Sequence, residues 1–370
     1  MRKIKILHMT PPIINNGIYK YIFSNLKYIN KDKFQFDFMT QNRQDLMNTE
    51  EYQKYQFGIR SFSTTQRDNI NLFQHQIRDI LSDGYDVVQL HTSYWRGFVI
   101  EEIAMKLGIP KVIVHSHSTW IDKVNEDERK ELLKIHENFK NIFDERYATH
   151  FWACSKKAGK WLFNNRICSN KLQIMPNAIE LDRFAFNEIK RSEVRRKWNL
   201  DGAFVIGHTG RFEYQKNHEF LIRMFAKVYE KYSGSRLLLV GEGILMPEMK
   251  NLVQELRLNE VVIFTGWKDN IEELLQAMDV YCLPSRFEGL PISLIEAQTS
   301  GLRCFASSSI TNEVKITDNV QFLDLEEALW EDEILKLAVG YSRQDETMQI
   351  SEAGYDIRKQ VEFLEKIYEN

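Results

Sequence analysis

Two glutamates, Glu288 and Glu296, flank the start of a predicted helix in the run Pro284-Ser-Arg-Phe-Glu-Gly-Leu-Pro-Ile-Ser-Leu-Ile-Glu-Ala297. A short apolar segment, Asp279–Leu283, precedes the run and reads as a strand. Pro291 suits the first helical position, where its missing N–H costs nothing. The free N–H groups of a helix start, here around Ile292 and Ser293, carry about half a positive charge and cradle a phosphate. Gly289, followed by Leu290, lets the backbone come close to such an anion. Each carboxylate can accept two sugar hydroxyls, so the pair suits a ligand with a phosphate between two sugars. Isolated from its context, the same spacing is also that of two solvated glutamates on an exposed helix.

A second group, Gly210-Arg-Phe-Glu-Tyr-Gln-Lys-Asn217, follows the strand expected over residues 203–209. Arg211 and Lys216 place two cations at a strand end, where fixed charges can stabilise a departing diphosphate. No Asp-x-Asp stands at a predicted strand end, and Glu331-Asp-Glu333 lies in a charged helical stretch, so no catalytic metal is expected. Gly241-Glu-Gly243 resembles the start of a dinucleotide fingerprint, but the spacing fails at Met246, which removes most support for a dehydrogenase. His115-Ser-His117 closes a strand over residues 111–114. On a metal this pair would need further ligands, of which only His91 is a candidate. A neutral imidazole donating to a sugar hydroxyl and a purely structural histidine are the competing roles. Residues 154–179 contain Lys156, Lys157, Lys160, Arg166 and Lys171 and no acid, interleaved with Trp161, Leu162 and Phe163. Such a helix can rest on anionic lipid, or it can be a core helix with solvated lysines.

These residues need strand-to-helix turns to hold them, and the rest of the chain supplies the pattern. Short apolar runs alternate with helical segments over nearly the whole length, as in parallel sheets with crossover helices. The expected class is α/β, with two doubly wound domains facing a cleft, divided near residue 178 after Pro176-Asn-Ala-Ile179. The 370 residues fit two such domains, and 43% hydrophobic with 27% charged residues excludes a disordered or fibrous chain. No apolar run is long enough to span a bilayer. The N-terminal run carries Lys5 and His8 and meets Pro11-Pro12, so it reads as a strand rather than a signal peptide. Four cysteines without metal spacing read as reduced core thiols of a cytosolic protein. The net charge of −3 hides a division, because residues 1–178 hold 26 Lys and Arg against 19 Asp and Glu. The first domain is therefore basic, the second acidic, and a membrane surface or other polyanion is the usual partner of a basic half.

Taken together, the motifs resemble the retaining GT-B glycosyltransferases of family 4 (glycosyl transferases group 1), and most closely their capsular and exopolysaccharide branch. The matching text is Ile206-Gly-His-Thr-Gly-Arg-Phe-Glu-Tyr-Gln-Lys-Asn217, Leu239-Val-Gly-Glu-Gly243, Phe264-Thr-Gly-Trp-Lys-Asp-Asn270 and Leu283–Ala297. Ile174-Met-Pro-Asn-Ala-Ile179, His115-Ser-His117 and Ala353-Gly-Tyr-Asp-Ile357 add to it. The resemblance implies that Arg211 and Lys216 hold the donor diphosphate, Glu288 the sugar hydroxyls and Glu296 the ribose. Backbone amides of Gly289–Ser293 would meet the phosphates, with Gly210, Gly241 and Gly243 lining the donor. Trp267 and Lys268 match the base-holding loop, and His115 or His117 the histidine that meets the sugar from the opposite domain. The family's first loop has two glycines and then a glutamate, whereas this chain reads Asn16-Gly17-Ile-Tyr19. Gly17 still lets the backbone pass near the donor, and the missing glutamate puts acceptor contact in question.

The implied reaction is transfer of a hexosyl or N-acetylhexosaminyl group from a UDP-sugar to a lipid-linked oligosaccharide or glycan, with retention and without a metal or other cofactor. The implied setting is cytoplasmic, peripheral at the inner face of an anionic plasma membrane through Lys156, Lys157, Lys160 and Trp161, with no nucleic-acid partner. The last helix, about residues 361–368, should cross back to the first domain. Two other readings keep the fold: a non-catalytic subunit that binds acceptor or a catalytic partner, and a sugar-nucleotide epimerase.

Overall fold

The computed structural model describes residues 2–9 and 16–370. Two units divide the chain: Met1–Ala178 with Ile357–Asn370, and Ile179–Asp356.

The sheet of the first unit contains β1 (Ile4–Met9), β2 (Phe34–Thr40), β3 (Gly58–Ser61), β4 (Val87–Thr92), β5 (Lys111–Ser116), β6 (His150–Ala153) and β7 (Leu172–Ile174). All pairings are parallel, in the order β3-β2-β1-β4-β5-β6-β7. Runs such as Val87-Val-Gln-Leu90 are buried on both faces, which is why they read as continuous rather than alternating. On one face pack Tyr21, Ile22 and Leu26 of the helix Gly17–Tyr28, and on the other Phe73, Ile77 and Leu81 of the helix Ile70–Leu81. Asn16 caps the former, its side chain accepting from the Tyr19 N–H at 2.8 Å.

The final helix, Ile357–Glu369, belongs to this unit. Its stripe Ile357, Val361, Leu364 and Tyr368 has the helical spacing that buries one face against the sheet. The Tyr368 hydroxyl donates to Gln89 Oε1 at 2.7 Å, and Lys111 Nζ to the Tyr368 carbonyl at 3.1 Å. The chain thus returns to its first domain, as the GT-B reading expected.

The second unit holds β8 (Phe204–Thr209), β9 (Ser235–Val240), β10 (Val262–Phe264), β11 (Val280–Leu283), β12 (Arg303–Ser307) and β13 (Val320–Leu323). Their order is β10-β9-β8-β11-β12-β13, again parallel. The order in which successive strands are added therefore reverses once in each sheet, between β1 and β4 in the first and between β8 and β11 in the second. Ligands of doubly wound sheets bind beyond the carboxyl ends of the strands at this reversal. At the opposite end of the second sheet, Arg191 and Arg195 of the helix Glu188–Lys197 clamp Asp279 at 2.5 and 3.1 Å.

Three features differ from the sequence reading. β3 and β13 were not expected, since Gly58-Ile-Arg-Ser61 and Val320-Gln-Phe-Leu323 are short edge strands with little apolar signal. A charged helical pattern runs over residues 126–147 of the sequence, and the helix itself ends at Ile142. Phe143 leaves the helix in extended backbone and buries against Trp95, with 4.3 Å between ring centroids. Finally, Pro291 is the N-cap and Ile292 the first helical residue, one position later than the proline preference suggested. Among the described residues no helix is long and apolar enough to cross a membrane. All four cysteines are free, and Cys154, Cys282 and Cys304 are buried.

Candidate active site

The loop after β8 and the loop after β11 meet at the reversal point of the second sheet. Lys216 Nζ donates to Glu288 Oε1 at 2.6 Å, and Gln215 Nε2 to Glu288 Oε2 at 3.0 Å. Gln215 also donates to the Phe287 carbonyl at 3.0 Å, and the Arg286 N–H to the Gln215 carbonyl at 2.8 Å. The Arg286 guanidinium lies over the Tyr214 ring and donates to the Tyr214 carbonyl at 2.6 Å. A short 3-10 turn, Tyr214–Lys216, sets the lysine, and Asn217 then enters left-handed backbone before the helix His218–Lys231. Gln215 was not among the expected site residues, because a glutamine on a loop carries no chemical signal until its partner is known.

Beneath this pair, His208 is sealed in the core and its Nδ1 lies 2.7 Å from the Cys282 carbonyl. Burial pushes its imidazole down to about 3, with the charge of Lys216 acting in the same direction. His218 is also buried, its ring stacked on Phe212 at 3.8 Å between centroids, and burial holds it well below the ordinary range. Both are therefore neutral supports of the loop at neutral pH.

Gly241 and Gly243 have a packing role visible in the structure. The Gly241 N–H donates to the Gly266 carbonyl at 3.0 Å, and the Phe212 N–H to the Glu242 carbonyl at 2.9 Å. A Cβ on Gly241 would strike the Gly210 carbonyl, and one on Gly243 the Phe212 backbone. These glycines tie the loops after β8, β9 and β10 together, a tight backbone contact distinct from ligand approach. A Cβ on Gly210 would lie 2.9 Å from His208 Nε2 and 3.2 Å from the Lys216 stem, so the glycine leaves room for both.

The other expected residues fall on the same edge of the second sheet. Arg211 pairs with Glu213 at 3.6 Å. Gly289, Leu290 and Pro291 are buried, Ile292 and Ser293 half-buried, and Glu296 is buried on the helix Ile292–Thr299. Trp267 and Lys268, half-buried, follow Gly266 after β10. A strand-end surface thus carries two cations, two carboxylates, a helix start and an aromatic loop, the chemistry needed to hold a phosphorylated sugar.

In the first unit the corresponding edge is occupied by histidines. His115, next to last in β5, is fully buried, while His117, two residues on, is partly exposed. His91 of β4 lies between His8 and His117, with Nε2 3.1 Å from His8 Nδ1 and Nδ1 2.9 Å from His117 Nε2. Burial holds all four well below the ordinary range, His8 and His117 at about 3. His8 was not expected here; its place follows only from the parallel pairing of β1 with β4. Gly17 is the first residue of its helix, and among the described residues nothing lies within 4 Å of a Cβ built on it. The preceding part of that loop, from Thr10 to Asn15, lies outside the described residues.

Trp161 does not match the expectation of a lipid-facing residue. It is 9% exposed, its indole N–H donates to the Ser93 carbonyl at 2.7 Å, and its ring stacks on His136. Leu162 and Phe163 are also buried, because the helix Lys156–Leu162 turns this side onto the sheet. Lys156, Lys157 and Lys160 face solvent, and the exposed aromatic near them is Trp120, which lies 5.4 Å from Trp161.

Two parallel sheets of this topology are the two Rossmann-like domains of a GT-B fold, and the matching families make the chain a glycosyltransferase. Residues 15–183 match the model described as Glycosyltransferase Family 4, and residues 190–338 the model of glycosyl transferases group 1. The chain belongs to glycosyltransferase family 4. It is 29% identical to EpsF of Bacillus subtilis (strain 168), a protein named as a glycosyltransferase, over 98% of this chain and 96% of that one. It is 24% identical to the UDP-Gal:alpha-D-GlcNAc-diphosphoundecaprenol alpha-1,3-galactosyltransferase of Escherichia coli, over 83% of this chain and 80% of the relative. Among solved structures, HepE of Anabaena in complex with UDP and glucose superposes with a TM-score of 0.75 at 16% identity, covering 99% of both chains.

Proposed function

We propose that this glycosyltransferase moves a hexosyl or N-acetylhexosaminyl group from a UDP-sugar to a lipid-linked oligosaccharide or glycan, with retention, during capsular or exopolysaccharide assembly. The observation that carries this reading is the pair Lys216–Glu288, which joins the two loops flanking the reversal point of the second sheet. The name of the Escherichia coli relative supports a UDP donor and a diphosphoundecaprenol-linked acceptor, and the UDP bound to HepE supports the same nucleotide.

Lys216 pairs with Glu288 and neutralises it. A donor diphosphate offers the lysine a stronger partner, and the released carboxylate accepts hydroxyls of the transferred sugar. Arg211 and the N–H groups at the start of the helix Ile292–Thr299 share the phosphate charge, and Glu296 holds the ribose. Trp267 and Lys268 hold the base. His117, less buried than His115, is the histidine offered to the sugar. As the bond from the anomeric carbon to the phosphate oxygen breaks, the acceptor oxygen bonds to that carbon on the same face. The acceptor proton passes to the leaving phosphate. Fixed cations and a helix dipole meet the developing charge, so no metal is required at the diphosphate.

The acceptor is presented at the cytoplasmic face of the membrane, where Lys156, Lys157 and Lys160 provide the contact with anionic lipid. A panel of nucleotide sugars screened for thermal stabilisation identifies the donor, and NMR of the product reads its anomeric configuration. An inverted linkage would remove the retaining mechanism, and turnover without any acceptor would favour an epimerase.

A further inference from the structure

The histidines at the carboxyl edge of the first sheet form a group of which the transfer reading uses only His117. One ring nitrogen from each of His91, His115 and His117 lies within 4.8 Å of the others. The parallel register places His91 directly beside His115 on β4 and β5. His115 is fully buried, and among the described residues neither of its ring nitrogens has a well-formed hydrogen bond, the backbone of Met175 giving a weak contact. A buried imidazole without a well-formed hydrogen bond is costly, and such a case points to a missing partner.

We propose that His91, His115 and His117 bind a first-row divalent transition metal, with zinc the best match. Zinc takes imidazole nitrogens at about 2.0–2.1 Å in a tetrahedron, which puts the nitrogens about 3.3 Å apart. The Nδ1 of His91 and Nε2 of His117 are already 2.9 Å apart, so these rings need to open by only a few tenths of an ångström. The His115 ring then swings in from the side. With His91 Nδ1 on the metal, its Nε2–H donates to His8 Nδ1, 3.1 Å away. This outer contact fixes the tautomer and the ring orientation, as second partners do in histidine metal sites.

The surroundings suit neutral imidazole ligands. Tyr21 meets His115 and His117 at 5.0 and 5.3 Å between centroids, and Trp152 meets His115 at 5.8 Å. The imidazoles therefore sit against aromatic walls and offer lone pairs rather than protons. Three nitrogen ligands without an oxygen favour zinc, cobalt, nickel or copper over magnesium and calcium. The fourth position is left to water or an added ligand. The site is built from the first unit alone and shares only His117 with the transfer reading, and metal binding is measured without donor or acceptor, so its outcome is read separately from transfer.

The test uses the full chain, stripped with a chelator and titrated with Co²⁺ and then Zn²⁺. The proposal expects one equivalent of Co²⁺ with the visible absorption of a low-coordinate nitrogen site, displaced by Zn²⁺. Zinc, but not magnesium, should raise Tm by about 5–10 °C at a hundredfold excess over its Kd. His117→Gln and His91→Asn should each weaken Zn²⁺ binding at least tenfold. His75→Ala, which removes an exposed histidine beside Asp79, should leave it unchanged. Because His117 is partly exposed, His117→Gln is expected to fold, and near-UV circular dichroism checks that it does. Failure to bind a stoichiometric metal, or binding unchanged in both variants at His91 and His117, overturns the proposal.

Discussion

Lys216 and Glu288 are 72 residues apart in the chain and 2.6 Å apart at Nζ and Oε1, with side chains only 15% and 7% exposed. Their meeting makes one surface from the loops after β8 and β11, and its consequences for stability differ from those for activity.

Removing one partner strands the other as a poorly solvated charge. Lys216→Ala or Glu288→Ala is expected to cost on the order of 3 kcal/mol of stability, besides reducing transfer about 100- to 1000-fold. The double variant Lys216→Met/Glu288→Leu should recover most of that stability and none of the activity. Urea unfolding beside turnover measurements separates the two effects. A double variant no more stable than either single would show that the pair is not a coupled charge.

Gly243→Ala should destabilise the second unit by roughly 2 kcal/mol or more, since a Cβ there meets the Phe212 backbone rather than a movable side chain. Gly17→Ala, at an unobstructed helix start, should change stability by less than about 1 kcal/mol. Thermal melts of the two variants make the comparison. If Gly243→Ala were neutral, the loops after β8 and β9 would not be packed as described.

The buried histidines set a pH dependence. His208 is held at about 3 and His136 at about 4 by burial, against about 6.5 in the unfolded chain. The unfolded state therefore binds more protons below pH 6.5, so their contribution is complete above that pH and is lost on acidification. Each adds a slope of about 1.4 kcal/mol per pH unit between about 6.5 and its folded value. Stability measured from pH 7 to 4.5 should fall steeply, and His208→Asn should flatten the fall by about one proton. An unchanged slope in that variant would mean that His208 is charged in the folded protein.

Membrane contact should depend on the lysines and not on the tryptophan. Lys156→Glu/Lys157→Glu/Lys160→Glu is expected to abolish sedimentation with anionic vesicles, at a cost of about 1 kcal/mol of binding for each charge removed. Trp161→Phe should leave vesicle binding unchanged, because its indole is committed to Ser93. Binding insensitive to both the triple variant and salt would remove the basic helix from the interface.

The residues that announced themselves in the sequence were those whose type and neighbours already specify a local structure. Gly289 to Pro291 before an apolar helix, and Arg211 to Lys216 after an apolar strand, could be placed at strand ends because turn chemistry is local. Gln215 and His8 could not, since each owes its position to a segment many residues away. Trp161 misled because a basic helix with interleaved aromatics reads alike whether its aromatic side meets lipid or a sheet; packing against His136 decided it. Gly241 and Gly243 looked like ligand glycines, and the structure adds a backbone-packing requirement that no spacing rule contains. The edge strands β3 and β13 were invisible because four residues, at least half of them exposed or half-buried, leave no period to read.

The donor site on the second unit is tested most directly by transfer itself. Purified chain in chelator is given a radiolabelled UDP-sugar of the type that stabilises it, with a diphosphoundecaprenol-linked acceptor, and the lipid-phase label is counted. The expected result is acceptor-dependent transfer that falls at least 100-fold in Lys216→Met/Glu288→Leu while the variant remains folded. Full transfer by that folded variant would contradict the assignment of the strand-end pair as the centre of the donor site.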